Sequence, residues 1–205
     1  MKFTVKEKIM PRLYFKYGTM GSSKSAQALM CKFNYEQKGM KVMLVKPSID
    51  NRGDSEEQVR VRSRIGLSAD CEVIKADESF VKLFERVNNV RGCDCIIVDE
   101  AQFCTERQVD ELKQLTKFVP VLCYGLLNDF RCKLFEGSKR LVELADSLQE
   151  IKSVCRCGRK STVNARFING KCVDDGPVVF IGGDESYENM CYWCWKEELE
   201  KANSN

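Results

Sequence analysis

The eight residues from Gly18 to Ser25, reading Gly-Thr-Met-Gly-Ser-Ser-Lys-Ser, constrain the fold of this 205-residue chain more than any other stretch. Before them runs Leu13-Tyr14-Phe15, an apolar triplet that reads as a buried strand. After them Ala26, Leu29, Met30 and Phe33 recur at the i, i+3, i+4, i+7 spacing of a helix face. Strand, tight loop, helix is the setting in which backbone N–H groups converge on an anion at the positive end of a helix. In such a loop a lysine reaches the β- and γ-phosphates and the next hydroxyl ligates Mg2+, roles that fall here to Lys24 and Ser25. The usual pattern is G-x-x-x-x-G-K-[ST], and its second glycine is replaced by Ser23. A serine in the left-handed conformation costs roughly 1 kcal/mol, so the loop is expected to be strained and to bind nucleotide less tightly than a glycine-bearing one. A serine-rich helix cap with a solvated lysine is the competing reading of these residues taken alone.

Downstream, Gly39 is placed as a helix C-cap and Lys41 to Val45 as a second strand, stopped by Pro47. Ser48 to Arg64 is polar and lacks either clean period, which predicts a mobile loop over the nucleotide. Asp50 and Arg52 are sited there for metal or phosphate, with an ordinary solvated loop as the alternative. Cys71 to Ala76 reads as a short strand, and Phe80, Leu83, Phe84 and Val87 as the apolar face of a helix. Cys93 to Val98 is a further buried strand that runs straight into Asp99-Glu100. An apolar strand ending in carboxylates, downstream of a phosphate loop, is the arrangement that holds Mg2+ through the first acid, Asp99. Glu100 is then free to act as a base. A helix N-cap is the other use of such a pair.

Thr105 is expected to cap a helix with Val109, Leu112 and Leu115 inward. Pro120 to Tyr124 follows as a strand, then a helix from Ser138 carrying Leu141, Leu144 and Ala145, and Leu148 to Val154 as the last strand. Alternation of this kind predicts an α/β fold: a parallel sheet with helices on both faces, of the phosphate-loop, RecA-like type, with ligands at the C-terminal edge of the strands.

With 43% hydrophobic residues the chain can bury a full core, and a net charge of +3 without a Lys/Arg block gives no electrostatic case for nucleic acid. No apolar run approaches membrane-spanning length and Met1 to Met10 has no apolar leader core, so a cytoplasmic protein with no membrane partner is expected. The twelve cysteines then argue for reduced thiols or metal rather than disulfides. With no histidine, acid–base chemistry falls to carboxylates, lysine, tyrosine or thiols.

From Cys155 the texture changes. Cys155-Arg-Cys157 and Cys191-Tyr-Trp-Cys194 frame a polar stretch with short β-like runs at Ala165 to Ile168 and Val178 to Ile181. Two close cysteine pairs are the signature of a structural tetrahedral Zn2+ site that pins the chain between them as a lasso. The first pair is one residue shorter than the preferred spacing, which leaves Cys172 as a conceivable substitute ligand.

Taken together, these residues resemble the type II thymidine kinases, the cytosolic, zinc-containing, usually tetrameric class. The resemblance runs from Arg12 to Trp195 and is carried by the following segments. They are Gly18-x-Met20-x-Ser22-x-Lys24-Ser25, Lys46-Pro47 with Asp50 and Arg52, Ser63-Arg64-Ile65-Gly66, and Val98-Asp99-Glu100-Ala101-Gln102-Phe103. Tyr124-Gly125-Leu126 with Asp129-Phe130-Arg131, and Gly182-Gly183 before Tyr187, complete the set. It implies transfer of the ATP γ-phosphate to the 5′-hydroxyl of thymidine or deoxyuridine, with Glu100 as general base. ATP and Mg2+ would be held by Gly18, Thr19, Met20, Gly21, Ser22, Ser23, Lys24, Ser25, Asp50, Arg52, Asp99 and Gln102. The nucleoside would lie among Met20, Phe103, Leu126, Phe130, Arg166, Val178, Phe180, Ile181 and Tyr187, and structural Zn2+ on Cys155, Cys157, Cys191 and Cys194. It further implies an ATP-binding α/β domain over 1–152, a zinc-binding lasso domain over 153–205, a homotetramer, and feedback binding of thymidine triphosphate. Two rivals stand beside it. One is a phosphate-loop ATPase in which Glu100 activates water and the zinc ribbon contacts nucleic acid. The other is a zinc-ribbon binding module on a loop disabled by Ser23. A GTPase is disfavoured because no N-K-x-D follows the strand at Pro120.

Overall fold

The computed structural model describes residues 12–48, 59–178 and 185–204. In chain order its elements are β1 (Leu13–Tyr17), α1 (Lys24–Glu36), β2 (Val42–Pro47), β3 (Arg60–Arg62), β4 (Ser68–Asp70), β5 (Glu72–Ile74), α2 (Phe80–Arg91) and β6 (Cys95–Val98). A 3-10 turn over Ala101–Phe103 leads to α3 (Glu106–Leu115), β7 (Val121–Gly125), α4 (Glu136–Leu144) and β8 (Ser147–Glu150). The chain ends with β9 (Val163–Ile168), β10 (Lys171–Val173), β11 (Glu185–Met190) and α5 (Tyr192–Asn203).

Six strands form one sheet in the order β5-β2-β6-β7-β1-β8. Every pairing in it is parallel. Strand side chains alternate between two cores, as a sheet covered on both faces requires. Leu13, Phe15, Met43, Val45, Ile96, Val98, Val121 and Cys123 face α2, α3 and α4. Val42, Leu44, Cys95, Ile97, Leu122 and Tyr124 face α1 and Val61 of β3. The chain leaves β1 for β2 across two strand positions and later returns to β8 on the other side of β1. The reversal puts a crevice at the C-terminal end of β1, where α/β sheets bind ligands.

Several helices follow directly from local sequence. α2 buries Phe80, Leu83, Phe84 and Val87, and the Ser79 side chain accepts the Lys82 N–H at its start. α3 opens on a capping box between Thr105 and Gln108 and buries Val109, Leu112 and Leu115. α1 departs from the expected stripe. It buries Ala26, Ala28 and Leu29, while Met30 and Phe33 are 53% and 59% exposed. At about 100° per residue Met30 lies roughly 150° round the helix from the midpoint of Ala28 and Leu29, on the side away from the sheet. The end of the expected loop at Ser48 to Arg64 is also structured: β3 pairs antiparallel with β4 across a turn at Ser63 to Gly66. β8 stops at Glu150, short of the expected Val154.

After Glu150 the chain forms a second, antiparallel sheet, β10-β9-β11, against α5. Its core gathers Cys155, Val163, Ala165, Cys172, Met190, Cys191, Cys194, Trp195 and Leu199.

Candidate active site

The loop from Gly18 to Ser25 joins β1 to α1 at the crevice. A side chain at Gly18 has no room: a Cβ there would lie 2.4 Å from the Ile151 carbonyl oxygen and 2.5 Å from the Ser22 Oγ. Ser23 adopts φ 64° and ψ 25°, so the left-handed residue that the motif reserves for glycine is left-handed here with a side chain in place. Lys24 is buried, its Nζ donating to the Thr19 carbonyl at 2.7 Å and reaching Ser22 Oγ at 3.5 Å. Burial pushes its pKa below the usual 10.5 against the opposing pull of Glu100 and Asp99, with Arg64 lowering it further.

Asp99 directly follows Val98, the last residue of β6, as the strand-end reading requires. Burial, reinforced by the charge of Glu100, raises its pKa to about 6, while a hydrogen bond with Ser25 works the other way. Its Oδ1 is buried with no hydrogen-bond partner among the described residues. An orphaned carboxylate oxygen beside the Ser25 hydroxyl fits a hard divalent cation such as Mg2+, whose charge would return the acid to its ionised form. Glu100 sits in the left-handed region at φ 54°. Its Oε2 accepts from Gln102 Nε2 at 2.6 Å, and Gln102 Oε1 in turn accepts the Leu126 N–H at 3.0 Å. Gln102, expected on the nucleotide, thus uses both ends of its amide within the protein to orient Glu100 against the end of β7.

A cleft of about 260 Å3 brings Lys24, Ser25, Glu100, Met20 and Leu126 together. Its opposite wall is the β3–β4 turn, with Arg62, Ser63, Arg64 and Ile65. The polarity of Ser48 to Arg64 predicts a loop over the nucleotide and the resemblance includes Ser63 to Gly66, but neither singles out Arg62 or Arg64 for a role of its own. The signal was the alternation Arg60-Val61-Arg62, whose single buried residue, Val61, is the apolar anchor of a hairpin.

The expected nucleoside residues divide. Met20 and Leu126 line the cleft, whereas Phe103, Phe130, Arg166, Val178 and Tyr187 are not among its lining. Phe103 stands edge-on to Phe135 at 5.5 Å. Phe130 is buried beneath the Arg166 guanidinium, 4.8 Å from the ring centroid. Arg166 Nη1 donates to the Pro177 carbonyl at 2.7 Å, tying the segment before Val178 to β9, and Tyr187 faces Arg166 across the β9–β11 pair. Asp50, Arg52, Phe180 and Ile181 lie outside the described residues.

Cys155, Cys157, Cys191 and Cys194 bring their sulfur atoms within 4.8 Å of one another. Four thiolates about 2.3 Å from Zn2+ in a tetrahedron lie about 3.8 Å apart, so the donor set and its dimensions fit zinc. The short first pair reaches because the chain turns tightly after it: Gly158 N–H donates to the Cys155 carbonyl and Cys155 N–H to the Arg159 carbonyl, both at 2.8 Å. Cys191 caps α5 and Cys194 lies in its first turn. Hydrogen bonding from the Cys194 backbone draws the Cys191 thiol down to about 6, while hydrogen bonds to Cys157 and Cys191 push the Cys194 thiol up to about 12, so without metal the cluster shares its protons unevenly. Cys172 is buried in the same core but does not belong to the cluster.

A parallel α/β sheet with a phosphate-type loop after β1, carboxylates at the end of β6 and a four-cysteine module beside the cleft defines a nucleotide-dependent phosphoryl-transfer protein. A family model described as thymidine kinase matches residues 11–195. A thymidine kinase of Vibrio vulnificus is 40% identical over 195 residues, covering 94% of this chain and 100% of the relative. Those of Xanthomonas oryzae pv. oryzae and Rhodopirellula baltica are 43% and 38% identical, covering 88% and 93% of this chain and 87% and 90% of theirs. The chain belongs to the thymidine kinase family.

Proposed function

We propose that this protein transfers the γ-phosphate of ATP to the 5′-hydroxyl of thymidine or deoxyuridine, a salvage route to the monophosphate. The observation that carries the reading is one cleft in which Lys24, Ser25 and Glu100 meet, with the orphaned Asp99 oxygen close behind. Phosphoryl transfer needs little covalent chemistry from a protein and consists mainly of positioning and charge stabilisation. In this proposal Gly18 to Ser23 present backbone N–H groups to the phosphates and Lys24 neutralises their charge. Ser25 and Asp99 hold Mg2+, which supplies charge neutralisation when bound. Glu100, oriented through Gln102 and Leu126, accepts the proton of the attacking hydroxyl.

Asp50 and Arg52 are assigned to phosphate and metal on the resemblance. Phe103, Phe130, Tyr187, Val178, Phe180 and Ile181 are assigned to the base and sugar on the same ground. For Phe130 and Val178 the Arg166 contacts lend support, since they join the loop after β7 to the segment leading into that stretch. The four cysteines hold Zn2+ as a structural ion that secures 153–205 as a lasso domain beside an ATP-binding domain over 1–152. Assembly as a homotetramer draws support from Met30 and Phe33, exposed together on α1. Feedback by thymidine triphosphate follows from one ligand carrying both a base and the phosphates. A reducing cytoplasmic setting suits twelve cysteines that are all free.

Incubation with Mg-ATP and labelled thymidine tests the reading. Formation of the labelled monophosphate, absent with guanosine as acceptor, is the expected result; ATP hydrolysis indifferent to thymidine would overturn it.

A further inference from the structure

The phosphate loop does not stand alone; it is held from the cysteine-bearing module, through one peptide unit. Thr19 and Met20 share that peptide. Its carbonyl end, on Thr19, accepts the Lys24 Nζ at 2.7 Å, and its N–H end, on Met20, donates to the Asn164 Oδ1 at 2.7 Å. Asn164 lies on β9, is only 3% exposed, and donates through Nδ2 to the Asn128 carbonyl at 3.0 Å. One side chain thus spans three segments: the phosphate loop, the loop after β7, and the second sheet.

β9 presents two different faces, as the period of a strand dictates. Val163 and Ala165, with Phe167 packed against them, face the core that contains the cysteine cluster. Asn164 and Arg166 face the other way, onto Met20, Asn128 and Phe130. The neighbouring strand repeats the theme. Asn189, the register partner of Asn164 on β11, has its Oδ1 3.9 Å from the Cβ position of Gly21, and its amide donates to Ser161 Oγ at 3.2 Å. Thr19 Oγ1 also hydrogen-bonds Ser153 Oγ.

We propose that Asn164 is a positioning residue for the phosphate site: by fixing the Thr19–Met20 peptide at its N–H end, it sets the carbonyl that anchors the Lys24 ammonium. A peptide plane can turn about its flanking dihedrals, and Gly21 next to this one, at φ +74°, adds freedom. Without a fixed N–H the carbonyl loses its orientation, and with it the placement of Lys24 toward an incoming phosphate. The cost falls mainly on nucleotide affinity, because what the peptide anchors is the Lys24 ammonium, whereas Met20, assigned to the nucleoside as well, keeps its side chain in such a variant. The inference rests on reading Gly18 to Ser25 as an ATP site.

The test is calorimetric binding of Mg-ADP to wild type, Asn164→Ala, Lys24→Met and the double variant, with zinc content and melting temperature recorded for each. Asn164→Ala is expected to bind Mg-ADP about tenfold more weakly, the size of one lost buried hydrogen bond. Zinc content should be unchanged, and any loss of thymidine affinity should be smaller than the loss of Mg-ADP affinity. Because Asn164 acts through Lys24, the double variant should bind no more weakly than Lys24→Met alone. Should the alanine variant fail to fold, Asn164→Ser, too short to reach Met20 but still polar, carries the same expectation. Unchanged Mg-ADP affinity, additive losses in the double variant, or a loss confined to thymidine would each overturn the proposal. The readout is a ratio of ADP affinities, so failure of thymidine as an acceptor would count against the nucleoside reading alone.

Discussion

Glu100 occupies a left-handed backbone position and has Oε2 fixed by Gln102, so its side chain is placed before any substrate arrives. Geometry of this kind serves a base, whose contribution to a proton transfer is about 10²–10⁴-fold. Glu100→Gln should therefore lower kcat by that factor while leaving thymidine binding measurable. A single-turnover transfer assay decides it, since a rate near that of wild type removes Glu100 from the base role. Ser23 is the other left-handed non-glycine residue at the site, and its side chain makes no capping hydrogen bond to α1 that would offset the strain. Ser23→Gly should stabilise the protein by about 1 kcal/mol. A urea midpoint that stays put in the glycine variant would show that the serine conformation is not strained here.

Between residues and whole lie the elements, and here the β3–β4 hairpin gains a task that its composition hid. Arg64 Nη1 comes within 3.7 Å of the Cβ position of Gly21, and no carboxylate pairs with Arg64 among the described residues. A guanidinium so placed can meet phosphate oxygens from the side opposite Lys24. Arg64→Ala should raise KM for ATP about tenfold, the worth of one charge-assisted hydrogen bond, with KM for thymidine little changed; equal rises in both would show a general loss of the cleft instead. At the sheet's other end Asp146 joins three elements, accepting the Leu13 N–H of β1 and the Lys113 ammonium of α3 just before β8 begins. Those bonds hold its pKa below the ordinary 3.8. The folded state therefore favours the charged form. Its stabilisation is present above the unfolded pKa and fades as pH falls through the folded value. Asp146→Asn should thus be less stable than wild type at pH 7, with the gap narrowing below about pH 4. A gap of equal size at both pH values, from urea midpoints, would sink this assignment. What could be read from sequence follows the same division. α2 and α3 were legible because their buried positions sit at helical spacing behind explicit caps, and the loop at Gly18 and the carboxylates at Asp99 because each motif is contiguous in the chain. The exposure of Met30 and Phe33 was not, since it depends on which arc of α1 the sheet covers. Arg64 and Asn164 were not, since each reaches the loop from an element distant in sequence, and only the fold makes them neighbours.

At the scale of the whole molecule, the second sheet depends on its cysteines in a way the first sheet does not depend on anything bound. Among the described residues its core is a small cluster of nine buried side chains, three of them (Cys155, Cys191 and Cys194) from the four-cysteine cluster, whereas the parallel sheet is backed by two apolar cores of its own. A closed tetrathiolate zinc site contributes folding free energy outright, on the order of 10 kcal/mol in isolated modules. That exceeds what so small an apolar cluster supplies. Stripping zinc with a strong chelator should therefore melt 153–205 while 12–150 stays folded. The expected record is partial loss of circular dichroism, a retained upper melting transition, and new proteolytic cuts confined to the C-terminal segment. The loss should not stop at the module. β9 carries Asn164 on the face away from the cysteines, so melting it frees the Thr19–Met20 peptide, and Mg-ADP affinity should fall by at least the factor seen in Asn164→Ala. Restoring zinc should return both the upper protease resistance and the affinity. Chelated protein that keeps its full circular dichroism and binds Mg-ADP as before would show that the four cysteines neither hold the module together nor report to the phosphate loop.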